Sequence, residues 1–480
     1  MQPNAAQTRW GQFIPLVTVF FFWGFVAASN DILIPVFKKA FDLTQGQSQL
    51  VSVAFYVAYT VGSLIYLGLS YWLKSDIVNR LGYKNALATG LCISAFGTLL
   101  FYPAANTGSF ELMLSGLFIV GLGFSLQQVV ANPLAIALGA AHTGAQRLTL
   151  AGGVNNFGTM IGPLLVSFAI FGAPGGASDQ ADIESVKIPY LILGAAFLLV
   201  AFLLKFSALP NHPEVQVSNQ TTADDGKSAL AYPQLVLGMI AIFLYVGVEV
   251  STAANLPDYL EKELGFATKD IAPYVSLYWA SLMIGRWTGA IEAFSADFTM
   301  RKLLKFVAPY LAFAAFLAVN AIMRHDLTPF YVYAFLIVVL IFADIASKGN
   351  PARMLFLFSC IGILALLIGM GTEGMVSVYA FTSVGLFCST LWPCIFALAI
   401  KGLGTRTNQG SNFLIMMIMG GGIVSWIQGL VADALSIHMS YIVGVICFAY
   451  LAFYAWSVPR ILRTQGISDD FQGSKQSVNA

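Results

Sequence analysis

Charge is what this chain is short of. Asp, Glu, Lys and Arg make up 10% of its 480 residues, against about a quarter in an average soluble domain. Hydrophobic residues reach 58% and the mean hydropathy is +0.77. A chain this long and this poor in charge cannot cover a folded surface with water-binding groups, which excludes a soluble enzyme. The net charge of +1 offers no basic face to nucleic acid and no acidic face to a basic partner. Cysteine is scarce too: Cys92, Cys360, Cys388, Cys394 and Cys447 all lie in apolar runs. They read as small core residues, not as a disulfide or metal framework. No Walker A loop, HExxH pair or CxxC occurs, so ATP-driven pumping and hydrolytic or metal chemistry lack support and no cofactor is expected. Met1–Gly11 is polar without a cleavage pattern, so the first apolar run is expected to be retained.

What the chain has instead is fourteen apolar runs. They span about 13–36, 49–73, 84–103, 109–138, 149–172, 188–206, 234–258, 271–294, 303–323, 330–346, 352–371, 374–400, 409–432 and 438–458. Most reach the roughly 20 residues that cross a bilayer core. With the N-terminus placed in the cytoplasm, 17 of the 24 Lys and Arg fall in inward loops and tails, 6 fall outward, and Arg286 stays inside a run. That asymmetry orients spans during insertion. It predicts an all-α, multi-pass membrane protein with both termini cytoplasmic.

The halves repeat. Gly24 and Gly247 lie 223 residues apart in matching spans, and the pairs Tyr56/Gly62 and Trp279/Gly285 keep the same offset. Further on, Pro133–Leu138 resembles Pro393–Leu398 at an offset of 260, and Arg147 matches Arg406 at 259. The step of 260 − 223 = 37 residues places an insertion between the eighth span and Pro393. Two apolar segments near 300–348 supply it. Removing them leaves six plus six spans in parallel repeat, a known transporter architecture. The division expected is 1–206 as the first six-helix bundle and 207–231 as a cytoplasmic linker. The second bundle is 232–463, interrupted by the inserted pair at about 300–348, and 464–480 is a tail.

Ionisable groups within a bilayer cost about 2.5–3.5 kcal/mol each on insertion scales, so each needs a partner or a task. Asp31 in SNDILIP, beside Asn30 and near Pro35, is placed to bind a proton or a cation and couple it to a change of shape. Glu249 is expected to bond a polyhydroxylated solute or to pair with Arg286. Arg286 is expected to close the inner face by pairing with an acid, while Asp344 and Glu292 are expected to snorkel, Asp344 beside Lys348. Amides are dense: Gln128 and Asn132 share a helix face with Gln127 beside them, and Asn155 and Asn156 follow a glycine pair. Asn255, Tyr278, Trp279, Trp392 and Asn412 come from the second half. Amides both donate and accept, and indole faces stack on a pyranose ring. The set suits a neutral polyol better than an amino acid or a phosphate. Amides also hold helices together in bilayers, so each is either glue or site.

The segments SNDILIP (Ser29–Pro35), FYPAA (Phe101–Ala105), QQVVANP (Gln127–Pro133), LAGGVNNFGTMIGP (Leu150–Pro163), YVGVEVS (Tyr245–Ser251), YWASLMIGR (Tyr278–Arg286) and IKGLGTRTNQGS (Ile400–Ser411) together resemble the fucose/galactose/glucose:cation symporters of the major facilitator superfamily. The chain looks closest to their bacterial glucose/galactose branch. The resemblance covers both six-span halves and excludes the inserted pair. It implies a major facilitator fold of fourteen transmembrane helices that carries a sugar between the halves by alternating access, in a bacterial inner membrane, as a monomer in lipid. Asp31 matches the protonated aspartate of fucose-carrying relatives, but Gln128 stands where they have a glutamate and Gly152 where they have a glutamine. Asn155 matches their asparagine. Fucose and a two-carboxylate relay are weakened, and a proton or a sodium ion at Asp31 both stay open. Asp76 and Arg80 resemble the superfamily's cytoplasmic loop signature, a gating element. The rivals are a non-transporting membrane sugar sensor and an efflux carrier for apolar drugs.

Overall fold

The computed structural model describes residues 9–73, 80–138, 144–171, 183–211, 228–267, 270–290, 298–403 and 406–467. The first half runs through α1 (Trp10–Phe41), α2 (Leu50–Trp72), α3 (Tyr83–Leu99), α4 (Phe110–Ala137), α5 (Gly144–Phe171) and α6 (Lys187–Phe206). The second begins with α7 (Pro233–Leu264) and α8 (Ala272–Ala290), then α9 (Phe298–Ile322) and α10 (Tyr333–Ser347). It continues with α11 (Pro351–Gly371), α12 (Gly374–Cys388), α13 (Leu391–Ile400), α14 (Thr407–Met416), α15 (Gly420–Ala434) and α16 (Ile442–Thr464). Helices α12 and α13 are two pieces of one crossing, as are α14 and α15, which gives fourteen crossings. Thirteen of them are long and apolar enough to span a membrane among the described residues, and α8 is the exception. Helix ends on the lysine- and arginine-rich side are called inner below, and the others outer.

The two halves pack alike. In the first, α1 lies along α5, α2 along α4, and α3 against α4 and α6. In the second, α7 lies along α15, α8 along α12, and α11 against α12 and α16. Two glycine pairs at the 223-residue offset show why. A Cβ on Gly24 would sit 2.0 Å from the Asn155 carbonyl of α5, and one on Gly247 would sit 2.5 Å from Val424 of α15. Likewise Gly62 meets Ser125 of α4 at 2.7 Å and Gly285 meets Ser389 at 1.9 Å. Both pairs mark crossings where backbone must approach a neighbour closely, and only glycine permits it.

The hairpin α9–α10 stands outside this pattern. It packs on α8, α11 and α12 and turns Leu311, Phe335 and Phe342 outward, at 57%, 75% and 65% exposure, as a lipid-facing surface would. Asp344 does not snorkel: it is buried and accepts from Lys305 Nζ at 2.9 Å, closing the hairpin on itself. Glu292 lies outside the described residues. Of the cysteines, Cys388, Cys394 and Cys447 are buried but Cys92 and Cys360 are exposed on the helix surface. An apolar run says nothing about which face a small residue takes.

Candidate functional site

Proline fixes the local chemistry at two points. Pro35 has no N–H to give the Asp31 carbonyl one turn earlier, so the backbone around Asp31 is left polar inside α1. Its side chain is buried, and Trp279 Nε1 of α8 donates to Oδ2 at 2.8 Å. This bond joins the halves. Pro393 does the same for Ser389: the helix breaks between α12 and α13, and the Ser389 carbonyl instead accepts from Arg286 Nε at 3.3 Å.

Arg286 is the second junction. Its Nη1 donates to Asn156 Oδ1 of α5 at 3.0 Å, so its hydrogen bonds go to an amide and a carbonyl, not to the acid expected of it. Glu249 nonetheless lies within electrostatic reach of Arg286 and beside Tyr245. The Tyr278 hydroxyl donates to the Glu249 carbonyl at 2.7 Å. Tyr56 of α2 lies within electrostatic reach of both Asp31 and Glu249. The two carboxylates, the guanidinium and four phenol or indole rings thus surround one region between the halves. Trp392 faces it half-buried, 6.2 Å from the Tyr245 ring.

The amides divide. Gln128, beside Tyr59 of α2, and Asn132 and Asn155 are half-buried. Asn155 Nδ2 donates to the Phe20 carbonyl at 2.9 Å. Buried polar atoms without a partner include both side-chain atoms of Asn30, Asn156 Nδ2, the Tyr245 hydroxyl, Ser251 Oγ and Thr252 Oγ1. A buried donor or acceptor left unpaired costs about 1–3 kcal/mol, which a hydroxylated solute or water would relieve. Gln127 belongs elsewhere: it accepts from Trp23 Nε1 at 2.9 Å and donates to Ser94 Oγ at 3.2 Å, wholly inside the first half. Its neighbour Gln128, about 100° further around the helix, meets Tyr59 instead. Asn412 is exposed on α14, away from the cluster. Arg80 is exposed, and Asp76 lies outside the described residues.

Asn255 sits at the outer end, in a clasp that sequence reasoning missed. There Lys38 of α1 pairs with Asp258 of α7 and donates to Gln45 Oε1 at 2.5 Å. Gln45 Nε2 donates to Asn255 Oδ1 at 2.9 Å, and Asn255 Nδ2 to the Ser251 carbonyl at 2.9 Å. Asp433, at the end of α15, accepts from the backbone N–H groups of Gln45 at 2.8 Å and Gly46 at 2.7 Å. Lys39 pairs with Glu261 at 2.6 Å. The only signal in the sequence was that Lys38 and Lys39 stand on the lysine-poor side, where a cation calls for a reason. Joined by these contacts, the halves are closed at their outer ends.

A groove of about 310 Å³ lined by Ala54, Leu114, Ser115, Phe118 and Ile119 contains none of the polar groups above. Its walls are apolar but for Ser115, whose hydroxyl donates to the Glu111 carbonyl at 2.8 Å.

The family model of the Major Facilitator Superfamily matches residues 16–347. A glucose/galactose transporter of Brucella abortus is 34% identical, with 92% of each chain covered. The L-fucose-proton symporter of Escherichia coli is 29% identical, with 94% of each covered. Among solved structures, FucP, a major facilitator transporter in the outward conformation, matches with a TM-score of 0.61 at 28% identity, covering 93% of this chain and 98% of that one. An inward-facing bacterial homologue of the lysosomal transporter Spinster matches at 0.60 and 12% identity, covering 94% and 97%, which speaks to the fold alone. The outer clasp shows the state of this structure: the halves are closed at their outer ends.

Proposed function

Because the chain belongs to the major facilitator superfamily, in the group of glucose/galactose transporters and L-fucose-proton symporters, we propose that it is a hexose:cation symporter working by alternating access, with a proton as the coupling ion. It is a transporter and not an enzyme. The two halves, 1–206 and 232–463, would rock about the seam in a bacterial inner membrane, as a monomer with both ends cytoplasmic. The observation that carries this reading is the Trp279–Asp31 bond: the one buried carboxylate of α1 is read directly by a helix of the opposite half. When Asp31 is ionised the indole N–H stabilises it and ties the halves together. When it is protonated that tie weakens, so proton occupancy biases which state the halves adopt.

A proton also suits the donor set better than sodium. One carboxylate suffices for a proton, whereas a metal ion gathers several oxygen ligands, and Asp31 Oδ2 is already turned to Trp279. The sugar would lie against Trp392 and Tyr245, with Glu249, Gln128, Asn132, Asn155, Asn156 and Asn30 supplying hydrogen bonds. With Gln128 in place of a second carboxylate, glucose or galactose is favoured over fucose, in line with the names of the relatives. Uptake of labelled glucose, galactose and fucose into proteoliposomes, under a pH gradient and a sodium gradient imposed separately, tests it. Asp31→Asn should abolish concentrative uptake and preserve exchange of internal for external sugar. Concentrative uptake at the unsubstituted level in that variant would refute the coupling role.

A further inference from the structure

Helix α8 touches different partners on two sides. Ser276, Trp279 and Arg286 face the first half: Ser276 Oγ donates to the Met160 carbonyl at 2.7 Å, Trp279 to Asp31 at 2.8 Å and Arg286 to Asn156 at 3.0 Å. At 3.6 residues per turn, Tyr274 and Ser281 point about 160° away from that group. There they meet the inserted hairpin. Tyr333, fully buried at the start of α10, places its hydroxyl 2.5 Å from Ser281 Oγ and donates to the Thr382 carbonyl of α12 at 3.1 Å. The Phe330 ring stands edge-on to Tyr274 at 5.3 Å, and Tyr379 of α12 donates to the Pro329 carbonyl at 2.5 Å.

We propose that the α9–α10 hairpin braces α8, and that Tyr333 is a positioning residue that sets how Trp279 and Arg286 meet the first half. The inference rests on the symport reading above. Among the described residues α8 is the crossing that falls short of an apolar span, and it carries a cation at a seam that must open and close. With lipid on its far side it would be free to roll; a roll of one residue's angle carries Trp279 away from Asp31. Tyr333 prevents this by tying α8 to α12, which stays with α8 in the same half throughout the cycle. The hairpin turns Leu311, Phe335 and Phe342 outward, while the Tyr333 hydroxyl and the Pro329 carbonyl are directed at α8 and α12.

The test is Tyr333→Phe in the full-length protein, reconstituted, with labelled sugar and an imposed pH gradient. Ser281→Ala removes the same link from the other side. Tyr331→Phe, on the same hairpin but 55% exposed, is the control. Loss of one such bond in a bilayer is equivalent to about a threefold change in an equilibrium. Tyr333→Phe and Ser281→Ala should therefore lower proton-driven accumulation about threefold and leave KM within about twofold. The pH profile of uptake should shift, because the indole N–H on Asp31, a carboxylate that Tyr56 also reaches, is no longer held in place. Exchange should be preserved. An unchanged pH profile and accumulation in both variants, or an equal loss in Tyr331→Phe, overturns the brace. If Tyr333→Phe fails to fold, Ser281→Ala alone decides. Absence of any proton-linked uptake in the unsubstituted protein overturns the symport reading, and this inference with it.

Discussion

Replacing Lys38 with Met should open the outer end of the molecule. The Lys38 and Asp258 side chains are 16% and 7% exposed, so their pair is mostly shielded from water and salt. Removing one partner of a fully buried pair costs about 3–5 kcal/mol. Here the orphaned Asp258 keeps Lys262, 3.1 Å from its second oxygen and 52% exposed, so the loss is smaller. A further bond to Gln45 goes with the amine, which brings the net cost to the outer-closed state to about 1–2 kcal/mol. That shifts the balance of outer-open to outer-closed molecules about 5–30-fold. Only the closed state makes these contacts, so the whole cost falls on one side of the equilibrium. Spin labels at Asp42→Cys and Glu263→Cys, in a background without the native cysteines, place one probe at the outer end of each half. Electron–electron distance measurements should show a longer-distance population growing in Lys38→Met. Asp258→Asn in addition should add little, since the pair is already broken. Unchanged distance distributions in the single and double variants would refute the claim that this clasp holds the outer end closed.

Two other substitutions separate solute contact from packing. Tyr245→Phe removes a buried hydroxyl that lies beside Glu249 without a well-formed hydrogen bond, so thermal stability should change little while KM for sugar rises several-fold, as loss of one hydrogen bond worth about 1 kcal/mol implies; an unchanged KM would remove Tyr245 from the site. Gln127→Leu should do the reverse, because it strands the Trp23 N–H inside the first half. It should cost about 1–3 kcal/mol of stability, seen as a lower melting temperature in detergent, with KM unchanged.

Much of the architecture was legible in the sequence because a bilayer leaves the chain few options. Every backbone polar group must be satisfied within the span, so apolar runs can only be helices. Their number follows from their lengths. Gly24 and Gly247, or Gly62 and Gly285, betrayed the repeat because close crossings tolerate no Cβ. Asp31 was legible for a related reason: a carboxylate in an apolar helix is costly enough to be conspicuous. Spacing could not tell Gln127 from Gln128, since adjacent residues differ by 100° around the helix and either could face the seam. Nor could it show that Arg286 bonds to an amide, which depends on the carbonyl freed by Pro393 and on where α5 happens to lie.

Sequence by itself determined the helices, their order and the doubled plan with its inserted pair. Tertiary structure alone decided which groups meet across the seam, Trp279 with Asp31, Arg286 with Asn156 and Lys38 with Asp258, and which meet behind it, Tyr333 with Ser281. The reason is one of range. Hydropathy and glycine act within a helix or at its nearest neighbour and leave a periodic trace. A contact between residues more than two hundred positions apart, like Lys38 and Asp258, depends on the rotation of two helices about their own axes, which is fixed only when all the others are packed around them.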